Sequence, residues 1–217
     1  MSKSQTQYLA DFGPETKRKR ALAQALDIRK FEIDMYWKRA TYFWTLIAAT
    51  LAGYAAVQAG EKIAEREFLS VVLASLGLLF AVAWHCVNRG SKQWQENWEN
   101  HVDMLEDNVI GPLYKTVLRR RKPINWKERC SYFLTGPGTF SVSGINQIIS
   151  LYVVALWATL LWRALPTFGT DRSIHWLYLF VVGSSIGACA AFFLIGRTYV
   201  GDHKNIAVTR TAAIDPP

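Results

Sequence analysis

Residues Phe68–Val87 read FLSVVLASLGLLFAVAWHCV, twenty positions without one Asp, Glu, Lys or Arg. Three more stretches share that property: Thr41–Gly60 (TYFWTLIAATLAGYAAVQAG), Ile145–Trp162 and Ser173–Gly196. A hydrocarbon core of about 30 Å is crossed by about 20 apolar residues of helix. Four such runs in 217 residues leave too little chain for a conventional soluble enzyme. The reading is an all-α polytopic membrane protein with four transmembrane helices in two hairpins and a helical cytoplasmic insert.

The whole-chain averages hide this, because 51% hydrophobic residues and a mean hydropathy of +0.06 describe oily spans mixed with a charged remainder. Of the 25 Lys and Arg residues, 21 fall in residues 1–40, in 88–144 and after Ile195, and four fall in 61–67 and 163–172. Basic residues mark the cytoplasmic side. An even number of spans puts both termini there, together with the central segment. Cys86, Cys130 and Cys189 are isolated and suggest neither a disulfide framework nor a CxxC metal site.

The spans organise the rest. Residues 1–14 are polar, end at Gly13-Pro14 and are expected to be disordered. From Glu15 no Pro or Gly occurs until Gly53, so one long helix runs from the cytoplasmic side into the first span, at about 41–60. A short loop leads to the second span, at about 68–87, and residues 15–87 form the first unit. That helix continues past the membrane, with Trp94, Trp98, His101, Leu105 and Val109 on one face until Gly111-Pro112 stops it. Residues 88–144 make the insert. Residues 145–196 form the second hairpin, with spans at about 145–165 and 174–196, and 197–217 a cytoplasmic tail.

Several groups of residues are candidates for function. Gly183, Gly187 and Ala191 recur every four residues on the fourth span, as Thr41, Thr45, Ala49 and Gly53 do on the first. Such faces let helix backbones approach in lipid, within one subunit or between subunits. The amphipathic face Trp94 to Val109 reads as the core of a small helical domain or as a partner surface. Arg119, Arg120, Arg121 and Lys122 could contact anionic lipid or serve only as a solvated charge run. His85 is the most polar side chain inside a span, a possible intramembrane polar site, though its depth places it near the interface.

No HExxH, Walker loop, G-x-S-x-G or GxGxxG is present. Without charged residues in the spans, a proton relay or an ion-coupled carrier has no groups to run on. No catalytic residue, metal ligand or cofactor is expected.

Three segments carry a resemblance: Phe31-Glu32-Ile33-Asp34-Met35-Tyr36-Trp37-Lys38-Arg39-Ala40-Thr41-Tyr42-Phe43-Trp44, the run from Arg89-Gly90-Ser91-Lys92-Gln93-Trp94 to Ile110-Gly111-Pro112-Leu113-Tyr114, and Phe140-Ser141-Val142-Ser143-Gly144-Ile145-Asn146-Gln147-Ile148-Ile149-Ser150. Together they resemble the RipA-type octameric family of small bacterial inner-membrane proteins, over about residues 29 to 196. The resemblance implies four spans, cytoplasmic termini, a cytoplasmic insert and a homo-octamer, and it supplies no catalytic residue. The expected function is a structural or organising one in a non-enzymatic homo-oligomer, with other copies of the chain and membrane lipids as partners and no nucleic acid. The alternative is an oligomeric channel or membrane-permeabilising effector, whose path would draw on Thr41, Thr45, Gln58, Ser75, Ser150, Thr159, Ser184 and Ser185.

Overall fold

The structure is a computed structural model that describes residues 4–60, 63–119, 121, 124–166 and 176–198. Among these residues it is entirely helical outside the connections. The helices are α1 (Gln5–Asp11), α2 (Glu15–Ala59), α3 (Arg66–Glu106), α4 (Trp126–Thr135), α5 (Val142–Ala164) and α6 (Trp176–Leu194). Helices α2, α3, α5 and α6 are each long and apolar enough to cross a membrane.

Helix α2 has 45 residues and α3 has 41, which at 1.5 Å per residue makes them about 68 and about 62 Å long. Each is roughly twice the thickness of a hydrocarbon core. They run antiparallel in one continuous register. Gly53 meets the Leu73 side chain, Trp44 meets Trp84 edge to face at 6.2 Å, and Arg39 Nη1 donates to Ser91 Oγ at 3.1 Å. Farther out, Arg29 lies 3.4 Å from Glu99, and Leu22 and Ala25 pack on Val102 and Leu105. The long helix expected from the absence of breakers after Glu15 is therefore present. With the extension of α3 it forms a two-helix stalk that projects from the apolar bundle.

The apolar core gathers around α3. Its buried Ser70, Ala74, Gly77 and Ala81 fall four, three and four residues apart and form a shallow face. The Trp157 indole of α5, 1% exposed, sits on that face, and a Cβ on Gly77 would collide with it. Tyr54 of α2 meets the same indole edge-on at 6.2 Å. Leu161, Val71, Tyr178, Val181 and Val182 complete the cluster.

The structure departs from expectation in two places. The second hairpin is joined in sequence without being packed as one: among the described residues no α-carbon of α5 comes within 8 Å of one in α6, and both helices lie on α3. The N-terminal stretch is ordered over Gln5–Asp11 rather than disordered. Ser4 Oγ accepts from the Gln7 N–H and Gln7 Oε1 accepts from the Ser4 N–H, a capping box. Tyr8 and Phe12 anchor this helix on the stalk.

The packing at Gly77 generates a prediction. Gly77→Ala overpacks the Trp157 seat and should lower stability by about 1–3 kcal/mol, seen as a lower melting temperature of the detergent-solubilised protein. At Gly90 a Cβ meets nothing within 4 Å, so Gly90→Ala should be neutral or gain up to about 1 kcal/mol from helix propensity. Equal melting temperatures for the two variants would contradict this seating.

Candidate functional site

Polar side chains collect where the stalk meets the bundle, at the end of the spans that faces residues 88–141. Tyr36 from α2, His85, Asn88 and Ser91 from α3, and Asn146 and Ser150 from α5 are all buried. Asn146 Nδ2 donates to Tyr36 Oη at 2.7 Å. His85 Nδ1 lies 2.8 Å from Ser150 Oγ, whose proton can go to the Gln147 carbonyl at 2.8 Å. With the Ser150 proton directed to that carbonyl, Ser150 Oγ accepts from His85 Nδ1; with the opposite tautomer it donates to Nδ1. His85 is thus held between helices rather than turned out to the interface.

Asn88 Nδ2 and Trp84 Nε1 are buried in α3 without a hydrogen-bond partner. Arg39, bonded to Ser91, is 3.7 Å from Glu32 Oε2. The layer fixes the mutual rotation of α2, α3 and α5, since each hydrogen bond has a partner only in one register. His85 stands out in the sequence as a polar residue inside a span, but nothing there pairs it with Ser150 or pairs Asn146 with Tyr36.

Along the stalk, the predicted amphipathic face is a core. Trp98, Leu105 and Val109 pack with Leu22, Ala25, Leu26, Tyr8 and Phe12, while Trp94 stays 42% exposed. His101 Nδ1 is 2.6 Å from Tyr8 Oη, with the Trp98 ring beside it. Burial pushes the Tyr8 phenol up and the His101 imidazole down, so the pair favours a neutral imidazole beside a neutral phenol.

Glu106, fully buried, ends the stalk. Its carboxylate accepts from the N–H groups of Tyr114 and Lys115 at 2.8 and 3.1 Å. Its backbone carbonyl accepts from Val109, Ile110 and Gly111. Gly111 adopts φ +78°, the left-handed conformation that favours glycine. The Arg29 guanidinium lies 5.6 Å from the Tyr114 ring centroid and ties the turn to α2. A buried carboxylate among backbone N–H groups leaves no sequence signal beyond an acidic residue near a helix end.

The other candidates do not converge. His85 and His101 lie on one helix about 24 Å apart, and among the described residues no three His, Cys, Asp or Glu side chains could hold a metal ion. Arg119 and Arg121 are exposed in the segment before α4, whereas Arg120 and Lys122 lie outside the described residues. Thr41, Thr45, Thr159, Ser184 and Ser185 each donate to a carbonyl of their own helix. Their hydroxyls need no water.

A family model matches residues 19–166, and its description is the octameric membrane protein family. The chain belongs to that family. No curated protein and no solved structure matches the chain significantly. The octameric-family region spans the stalk, the residues between the hairpins and α5, so α1 and α6 lie outside it. In this member of the octameric family the small residues of the spans divide into two groups. Those on α3 are used by the fold, and Gly53 rests on Leu73. Thr45, Ala49, Gly183 and Gly187 are exposed, Ala191 is half-buried, and among the described residues no other helix comes within 4 Å of a Cβ built on Gly183 or Gly187.

Two predictions follow from the polar pairs. His101 has its pKa depressed below the ordinary 6.5 while α1 is docked, so docking stability is complete above that value and is lost as pH falls through the depressed one. Protection of the amides in residues 5–12, taken relative to intrinsic exchange at each pH, should therefore fall as pH drops below about 6.5 in the wild type and show no such acid-dependent step in His101→Phe. A double-mutant cycle of His85→Phe and Ser150→Ala should return a coupling of about 0.6–1.7 kcal/mol in detergent unfolding. A coupling of zero would remove this bond from the bundle's stability.

Proposed function

We propose that the chain is a non-enzymatic homo-oligomer of the bacterial inner membrane, octameric as its family description states, with a structural or organising role. Its termini and residues 88–144 lie on the cytoplasmic side, as the basic residues concentrated there favour. The supporting observation is apolar surface outside the spans. Leu118, Ile124, Trp126, Phe133 and Leu134 are 71–93% exposed, and α4 buries none of its residues. Lipid accounts for exposed apolar side chains within a span, but beyond it each such side chain left in water forgoes about 1.5–3 kcal/mol of burial. Neighbouring copies supply the cover.

The uncovered face of α6 is the matching contact inside the membrane. A small-residue face gains little from lipid tails and much from another helix at close range. By multi-angle light scattering in mild detergent, the wild type should run as a large oligomer. Gly187→Leu should disperse it, and Phe133→Asp with Leu134→Asp should reduce its mass. An unchanged mass for Gly187→Leu would exclude α6 as a subunit contact, and a monomeric wild type would sink the reading.

A further inference from the structure

At the end of α6 the chain crosses the stalk side of α3 and leaves an open groove of about 540 Å³. Its rim carries Arg89 and Lys92 from α3 and Arg197 just after α6, with Gln93 and Gln147 beside them and Phe192 and Phe193 as apolar walls. We propose that this groove holds the phosphate headgroup of an anionic phospholipid.

Position is the first argument. The uncharged run of α3 ends at Val87 and that of α6 at Gly196, so Arg89 and Arg197 are the first charges beyond both spans. They stand at the depth where phosphates lie.

Charge is the second argument. Three cations line the groove against one carboxylate, Glu96, which lies 3.1 Å from Lys92. Arg197 uses Nε on the Phe193 carbonyl at 2.7 Å and keeps its other N–H groups. Among the described residues Arg89 has no acidic partner within salt-bridge distance. Cations so placed, with amide donors beside them, fit an anionic phosphate. Each basic residue near a membrane surface contributes about 1 kcal/mol toward anionic lipid.

Shape separates a lipid from a soluble phosphate. Gly90 forms the floor, with open space where a Cβ would stand. A second cavity of about 530 Å³ shares Cys86, Gly90, Phe192 and Gly196 with the first; Glu32, Arg39, Ser91 and Trp94 line its stalk end, and Ala83, Val87 and Tyr42 its membrane end. Ala83 and Val87 lie on the membrane side of Arg89, so an apolar track leads from the charged rim down the α3 surface. A soluble phosphate has no use for that track; an acyl chain follows it.

The inference rests on membrane insertion and not on the oligomer. The test uses the purified full-length protein, stripped of lipid, titrated with phosphatidylglycerol or phosphatidylcholine and read by native mass spectrometry. Phosphatidylglycerol should bind and phosphatidylcholine should bind at least tenfold more weakly. Arg89→Gln and Arg197→Gln should each weaken phosphatidylglycerol binding about fivefold, with oligomer mass unchanged. Gly90→Phe, which fills the floor and keeps every charge, should block it, and Lys19→Gln on the far stalk should leave it alone. Equal binding of the two lipids, insensitivity to both arginine variants, or no bound lipid in the wild type because a neighbouring subunit fills the groove would each overturn the proposal. Displacement by glycerol 3-phosphate at concentrations matching the lipid would assign the site to a soluble phosphate and overturn it too.

Discussion

Among the described residues helix α3 is a partner in every pair of helices whose α-carbons approach within 8 Å, and at one of those seams the Trp157 indole rests on the bare backbone of Gly77. In lipid, apolar burial does not drive one helix onto another, because the tails are as apolar as leucine. Close contact has to supply the attraction. A large flat ring on a face of Ser70, Ala74, Gly77 and Ala81 provides it, and Tyr54 closes on the same ring from α2. Helix α6 has no such anchor. It touches α3 through Tyr178, Val181 and Val182, and none of its residues is buried.

The polar layer at the stalk junction does a different job. Packing of small residues on rings leaves rotation about the helix axes loosely set, whereas Tyr36 with Asn146 and His85 with Ser150 demand one rotation each. Outside the membrane the stalk is specified again by Arg29 with Glu99 and by the Glu106 turn. Apolar contact and directional bonds therefore alternate along α3, from the far end of the bundle to the tip of the stalk.

The spans were legible because absence of charge over twenty positions is a one-dimensional property that needs no partner. The stalk was legible for a related reason: helical periodicity in Trp98, Leu105 and Val109 requires only that some apolar surface exist opposite. What spacing could not decide is which small-residue face lies inside. Thr45, Ala49, Gly183 and Gly187 repeat more cleanly than Ser70, Ala74, Gly77 and Ala81, yet the second set is interior because Trp157 happens to meet it. That meeting joins residues eighty positions apart. The capping box at Ser4 and Gln7 is different, since its S-x-x-Q pattern was readable; the polar composition around it concealed a helix that the packing of Tyr8 and Phe12 on the stalk and the Tyr8 and His101 contact hold in place.

The division of small residues bears on where function can reside. The pairs Tyr36 with Asn146, His85 with Ser150 and Tyr8 with His101 are each engaged in holding helices together. The uncommitted features face outward: the Gly183 and Gly187 face, the apolar side chains around α4, and the basic rim at Arg89, Lys92 and Arg197. They are sorted by depth, apolar within the bilayer, cationic at its boundary and apolar again beyond it. A surface ordered in that way matches, in turn, a neighbouring helix, a phosphate and a neighbouring subunit. The matches are independent in chemistry, so a lipid at the boundary would sit between two protein contacts and couple the packing of the spans to that of the parts outside them.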